Sequence, residues 1–292
     1  MKLLKYIKLK IKNNKLLSKY FKEYYQRLRI SSFPFISGDT FLALADCAVL
    51  RDYPKPIYLT SSINKESIFI EVDLLQDENI FNLACTYKKI ILHNSDTQPS
   101  KNLIEKLVKK KIYVFGTNID YVNDYVKPIP IGLENAHYKQ NGNLNYYNPI
   151  DFFKINKQKK NLLLVSFSIN NSVRSKYLEI LQKYNIQNIK NLDLSIYRKL
   201  LAESYFVLSP PGNGIDCHRT WEAFYNNTVP VIEKKYYLFS HLNLPVFVVD
   251  EINEFLSLSY VDKIKIYKSI IKKNKKQIYM KWWINYLEDY RL

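Results

Sequence analysis

The chain has 292 residues, with 44 Lys and Arg against 27 Asp and Glu, a formal net charge of +17 and 47% apolar side chains. The apolar share is ample for packed cores, the length allows one large domain or two of ordinary size, and no apolar run reaches the roughly 18 residues of a membrane-crossing helix. Three widely spaced cysteines, Cys47, Cys85 and Cys217, give neither a disulfide framework nor a metal pattern and read as free thiols of a reducing compartment.

The first element is a predicted basic amphipathic helix over residues 1–29. Ten Lys and Arg, from Lys2 to Arg29, stand against Glu23 alone, while Leu3, Leu4, Ile7, Ile11, Leu17, Phe21, Tyr24 and Leu28 recur near helical spacing. Such a helix can lie on an anionic membrane surface or pack its apolar stripe on the protein body, and the sequence leaves both open. It lacks a continuous apolar core and a cleavage site, so a secretory signal is not expected. Strands are predicted at 57–60, 67–72, 89–93, 112–115 and 127–131, with helices at 40–50 and 100–110. Residues 139–160 read as a linker with a turn at Asn141-Gly142. A second series follows: a strand at 161–167, a helix at 172–184, a possible strand at 186–192, a helix at 196–203, strands at 205–208 and 229–232, and a last strand at 246–249. The basic run 263–276 is followed by Trp282-Trp283. Alternating strands and helices argue for parallel α/β sheets.

Between the strands at 205–208 and 229–232 lies the string Ser209-Pro210-Pro211-Gly212-Asn213-Gly214-Ile215-Asp216-Cys217-His218-Arg219-Thr220-Trp221-Glu222-Ala223. It holds two of only six glycines in the chain. Glycine permits positive φ and close approach of a ligand to the main chain. Asp216 is expected to cap the following helix, whose free N–H groups and dipole favour a phosphate. His218 and Arg219 add donors, and Glu222, four and three residues on, can share their helix face and accept bonds from sugar hydroxyls. The plainer alternative is a structural turn before a solvated helix with an Arg–Glu pair.

This string resembles the C-terminal signature of the exostosin-like glycosyltransferases, family 47, and within them the short bacterial and ribitol-xylosyltransferase-like branch. Further segments are similar: Leu92-His93-Asn94-Ser95-Asp96, Pro128-Ile129-Pro130-Ile131-Gly132-Leu133-Glu134-Asn135, Val165-Ser166-Phe167-Ser168 with Asn170, Asn171 and Arg174, Leu244-Pro245-Val246, and Trp282-Trp283. Asn226-Asn227-Thr228 departs from the family, which has small apolar residues and glycine there. The resemblance runs from about residue 30 to 287 and implies a GT-B-like α/β fold: two Rossmann-like domains facing a cleft, with N- and C-terminal helices, the C-terminal one, after the basic run 263–276, packed across the fold. The divisions expected are the helix 1–29, an N-terminal acceptor domain with linker at 30–155, and a C-terminal nucleotide-sugar domain at 156–292.

The activity implied is inverting transfer of a sugar from a nucleotide-sugar donor to a glycan or lipid-linked acceptor, as in surface polysaccharide biosynthesis. Donor binding falls to Arg174, Ser209, Gly212, Asn213, Gly214, Asp216, His218, Arg219 and Glu222. Arg174, His218, Arg219 and the turn backbone would hold the phosphates, and Glu222 the ribose or sugar hydroxyls. With positive side chains at the leaving group and no Asp-x-Asp motif, no metal or other cofactor is expected. The general base should come from the first half. Asp39, in a glycine turn before the helix at 40–50, is the first choice, with Asp96 and His93 as alternatives. On its own terms Asp39 reads more readily as the cap of the helix at 40–50, and Asn94-Ser95-Asp96 reads also as a turn after a strand. Glu134 and Asn135 can bind acceptor or organise the linker, while His137 and His241 are read as surface residues. A cytoplasmic protein, peripheral on the membrane through residues 1–29, is expected. Two rivals remain. One is a catalytically inactive scaffold of the same fold. The other is a basic nucleic-acid-binding protein, disfavoured because the aromatics, mostly Tyr, are scattered through apolar runs and no such motif occurs.

Overall fold

The computed structural model describes residues 29–51, 55–60, 66–138, 141–147, 158–234 and 242–289. The helix expected at 1–29 lies outside the described residues except for Arg29, as does His241. The described residues form an α/β structure with two sheets. The first comprises β1 (Cys47–Leu50), β2 (Ile57–Thr60), β3 (Ser67–Glu71), β4 (Lys89–His93), β5 (Tyr113–Gly116) and β6 (Val126–Pro128), in the order β2-β1-β3-β4-β5-β6. Neighbours run parallel except β1 and β2, where Cys47 faces Thr60 across an antiparallel pair. The second sheet comprises β7 (Asn161–Leu164), β8 (Ser204–Leu208), β9 (Val229–Glu233) and β10 (Phe247–Val249), wholly parallel in the order β10-β9-β8-β7.

Nine α-helices occur among the described residues: α1 (Gly38–Leu42), α2 (Glu78–Ala84), α3 (Lys101–Lys109), α4 (Ser172–Lys183), α5 (Leu194–Ala202), α6 (His218–Tyr225), α7 (Ile252–Ser257), α8 (Tyr260–Ile271) and α9 (Met280–Glu288). None of the described helices is long and apolar enough to cross a membrane.

Three predicted elements differ. The helix expected over 40–50 stops at Leu42, because Cys47-Ala48-Val49-Leu50 is wholly buried between β2 and β3 and pairs as a strand. Sheet burial outweighs the helical pattern there. Ser37, not Asp39, caps α1 by accepting the Thr40 N–H. The strand expected to reach residue 131 ends at Pro128, since Pro128 and Pro130 lack the donor a ladder needs. Finally, residues 186–192 form no strand. Asn185 and Asn191 take left-handed φ values of 54° and 55°, and a single backbone bond, Ile189 N–H to Val165 O at 2.9 Å, reaches the neighbouring segment.

Strand alternation sorts the cores. Val49, Ile68, Ile70, Ile90, Leu92 and Val114 meet Ile80 of α2 and Ile104 and Leu107 of α3 on one face of the first sheet. On the other face, Ala48, Leu50, Phe69, Ile91 and Phe115 share a cluster with Trp221, Phe224 and Tyr225 of α6 and Met280, Trp283 and Leu287 of α9. Helix α9 therefore follows the second sheet in sequence but packs on the first. The Met280 N–H binds Pro34 O at 3.0 Å, and Tyr225 Oη donates to Ile278 O at 2.6 Å. The second sheet is covered by α4, α7 and α8 on one face and by α5 and α6 on the other.

Candidate functional site

The turn after β8 is built by packing. Neither Gly212 nor Gly214 adopts a left-handed φ; among the described glycines only Gly132 does, at 70°. Gly214 is glycine for space, because a Cβ would stand 2.6 Å from Asn118 Nδ2. Arg174 braces the turn from outside: Nε donates to Pro211 O at 2.8 Å, and Nη1 to Ser168 O at 2.9 Å and Asn170 Oδ1 at 3.1 Å. These bonds commit Nε and Nη1 to two backbone carbonyls and the Asn170 side chain, so Arg174 braces the turn, where a phosphate-holding role was expected. Ser209 is likewise turned inward, its hydroxyl 2.9 Å from Thr220 Oγ1. Asn213 is exposed and reaches Asp96 Oδ2 at 3.4 Å.

Asp216 is not the cap of α6. Cys217 holds that position without a side-chain cap. The Asp216 carboxylate is buried and accepts from Ile131 N–H at 2.8 Å, Cys217 N–H at 2.8 Å and Trp221 Nε1–H at 3.0 Å. Its own N–H donates to Asn118 Oδ1 at 2.9 Å. Burial pushes this carboxyl up to about 6, against the Ile131, Trp221 and Cys217 donors that favour the ionised form. Asp216 thus joins the segment after β6 to the start of α6, with its carboxylate oxygens and its N–H engaged within the fold.

The first two residues of α6 open into different cavities. Successive helical residues point about 100° apart, so His218 and Arg219 diverge. His218 lines a cavity of about 620 Å³, donates Nδ1–H to Gly132 O at 2.8 Å, and holds Nε2 3.6 Å from Glu134 Oε2. Arg219 lines a cavity of about 960 Å³ together with Tyr197, Arg198 and the segments after β7 and before α5. Its Nε and Nη1 are buried without a hydrogen-bond partner among the described residues. Buried guanidinium donors left unpaired are costly, and they mark a place for an anion or acceptor. Arg198 stacks on the Tyr146 ring at 3.9 Å and bonds Asn141 O at 3.0 Å. Glu222 lines neither cavity. It is 8% exposed and accepts the Tyr197 hydroxyl at 3.0 Å, so the face expected to carry His218, Arg219 and Glu222 together is divided. Both cavities have volumes typical of ligand pockets.

The smaller cavity lies at the carboxyl ends of β1, β3 and β4. Open α/β sheets bind ligands at the carboxyl ends of their strands. Asp39 does not face it. Its side chain is fully buried, 3.4 Å from Arg29 Nη1 and 3.2 Å from His137 Nδ1, so it cannot meet an acceptor hydroxyl directly. His93 is also unfit as a base. Asn94 N–H donates to Nδ1 at 2.7 Å and Nε2–H donates to Pro130 O at 3.1 Å; burial draws this imidazole down to about 4. Of the three base candidates, Asp96 alone is exposed at the cavity wall. Ser95 and Thr97 both donate to Asp73 Oδ1 at 2.7 Å. Burial opposes the ionised Asp73, but these hydroxyls and Arg51 hold its carboxyl below the ordinary range.

His137, read from sequence as a surface residue, lines this cavity. Asn135 organises the site: its Oδ1 accepts the Asp39 N–H at 2.8 Å and its Nδ2 donates to Asn94 Oδ1 at 3.0 Å. The pointer to His137 was its place two residues beyond Glu134-Asn135; nothing in sequence pairs it with Asp39. Among the described residues, no group of three or more His, Cys, Asp and Glu is placed to hold a metal ion. No protein-family model matches the sequence, and no match is found among curated proteins.

Proposed function

We propose that the chain is an inverting glycosyltransferase, moving a sugar from a nucleotide-sugar donor to a hydroxyl of a glycan or lipid-linked acceptor in surface polysaccharide synthesis. Its two sheets would be the Rossmann-like halves of a GT-B arrangement, and it would work at the cytoplasmic face of the membrane. One observation carries the reading: adjacent residues at the start of α6, His218 and Arg219, open into two separate cavities, one in each half. A transferase with two substrates needs two pockets meeting at one point. The donor would occupy the larger cavity, with its diphosphate near the helix start and Arg219. The acceptor would enter the smaller one. Charge developing on the departing diphosphate would be met by Arg219, by His218 and by backbone N–H groups, so no divalent ion is required. The resemblance of residues 209–223 to the exostosin-like signature supports the same assignment. Glu222 would act through Tyr197, whose hydroxyl it holds, rather than by touching the sugar.

A thermal-shift series with UDP, GDP, CMP and their sugar conjugates tests this reading. Ligand at about 100 times its Kd should stabilise the fold by about 2.7 kcal/mol. Arg219→Met is expected to leave the free protein as stable as before or more so, since it removes unpaired buried donors, and to abolish the nucleotide-induced rise in Tm. If no nucleotide raises the Tm of the wild-type chain, the reading fails.

A further inference from the structure

We propose that His137 is the general base of the transfer reaction and that buried Asp39 is its positioning residue. The inference rests on the glycosyltransferase reading above. Asp39 Oδ2 lies 3.2 Å from His137 Nδ1, so Nδ1 carries the proton and donates it to the carboxylate. Nε2 is then the lone-pair nitrogen. His137 is partly exposed and lines the smaller cavity, and among the described residues Nε2 has no hydrogen-bond partner. The carboxylate is ordered from behind: Arg29 Nη1 lies 3.4 Å from Oδ1, and the Asp39 N–H is tied to Asn135 Oδ1 at 2.8 Å. Tyr138 packs on the imidazole at 4.2 Å between ring centroids. A fully buried carboxylate is costly unless paired, and this one is paired with a guanidinium and an imidazole. The arrangement has the form of a base oriented by a carboxylate.

The other imidazoles of the cavity do not compete. His93 has both ring nitrogens occupied within the fold. His218 donates Nδ1–H to Gly132 O and turns Nε2 to Glu134. In the step, His137 Nε2 takes the proton of the acceptor hydroxyl. The oxygen lone pair forms the new bond to the anomeric carbon while the bond from that carbon to the diphosphate oxygen breaks, its electron pair leaving on the nucleoside diphosphate. The imidazolium, balanced by Asp39, then returns its proton to solvent.

The full-length chain is assayed for nucleotide release from UDP-, GDP- and CMP-sugars, with water or a simple glycoside as acceptor. His137→Ala and His137→Gln are expected to lose about 10²- to 10⁴-fold in kcat with the donor KM unchanged, and added imidazole to restore part of the loss in the Ala variant. Asp39→Asn is expected to lose kcat to a smaller degree, also at unchanged donor KM. Nitrogen-15 NMR of the neutral His137 ring should show the proton on Nδ1. Four results overturn the proposal: wild-type turnover in His137→Gln, loss of donor binding alongside turnover, failure of imidazole to rescue, or the proton on Nε2. If Asp96→Asn loses turnover while His137→Gln keeps it, the base is Asp96. A wild-type chain that neither binds nor cleaves any of these donors overturns the glycosyltransferase reading itself, and with it the role of His137.

Discussion

At the scale of single residues, His93 and Asp216 set opposite responses to acid. An exposed imidazole titrates at 6.5, whereas the buried His93 stays neutral down to about 4. Between those values the unfolded chain binds a proton that the folded chain refuses, so this contribution to stability falls as pH drops from about 6.5 to 4. The gap corresponds to about 3 kcal/mol. Asp216 acts in reverse: its folded carboxyl keeps a proton up to about 6 against an ordinary 3.8, so its contribution grows as pH falls over that interval. His93→Gln is therefore expected to lose less stability than the wild-type chain between pH 6.5 and 4, measured as the change in urea midpoint. A variant with the wild-type acid slope would show that His93 is not the titrating group. Residue types at the site were legible in sequence, but their directions were not. Arg219 and His218 each line a cavity, whereas Arg174 and Asp216 face inward because nearby carbonyls and N–H groups claim them.

At the scale of elements, the strands were the most readable part. β2 and β4 coincide with the expected runs, since their β-branched or large apolar residues leave no competing pattern. β1 was hidden because Cys47-Ala48-Val49-Leu50 is short and continuous with a helical stretch; only its neighbours in the sheet decide its conformation. Helix α9 was legible as a packing element but not in its destination. Trp283 is fully buried, donates Nε1–H to Gln277 O at 2.8 Å, and joins the cluster on the first sheet. Trp283→Ala is expected to cost about 3–5 kcal/mol in urea unfolding. A loss under about 1 kcal/mol would mean that α9 is peripheral to that core.

At the scale of the whole molecule, the two sheets share one cluster that runs from Phe35 and Phe115 through Trp221 to Trp283. They are also joined by polar bonds, Ile131 N–H to Asp216 at 2.8 Å and His218 Nδ1–H to Gly132 O at 2.8 Å. The halves are thus expected to unfold together. Tryptophan fluorescence and far-ultraviolet circular dichroism should give coincident urea transitions, whereas separated midpoints would show that the cluster does not couple them. The pairing of His137 with Asp39 was beyond the sequence for a related reason. The two residues are 98 positions apart, and a contact across that separation leaves no periodicity or spacing to read.

The path of the last helix also bears on how the chain is made. Synthesis delivers all six strands of the first sheet long before Met280, Trp283 and Leu287 exist to cover it. Until they arrive, Phe69, Ile91 and Phe115 lie on a face with its lid missing, in a nascent polypeptide that adds about 5–20 residues each second. A ribosome stalled between β10 and α9 would therefore hold a sticky, half-covered intermediate, and chaperone demand should persist until α9 has emerged.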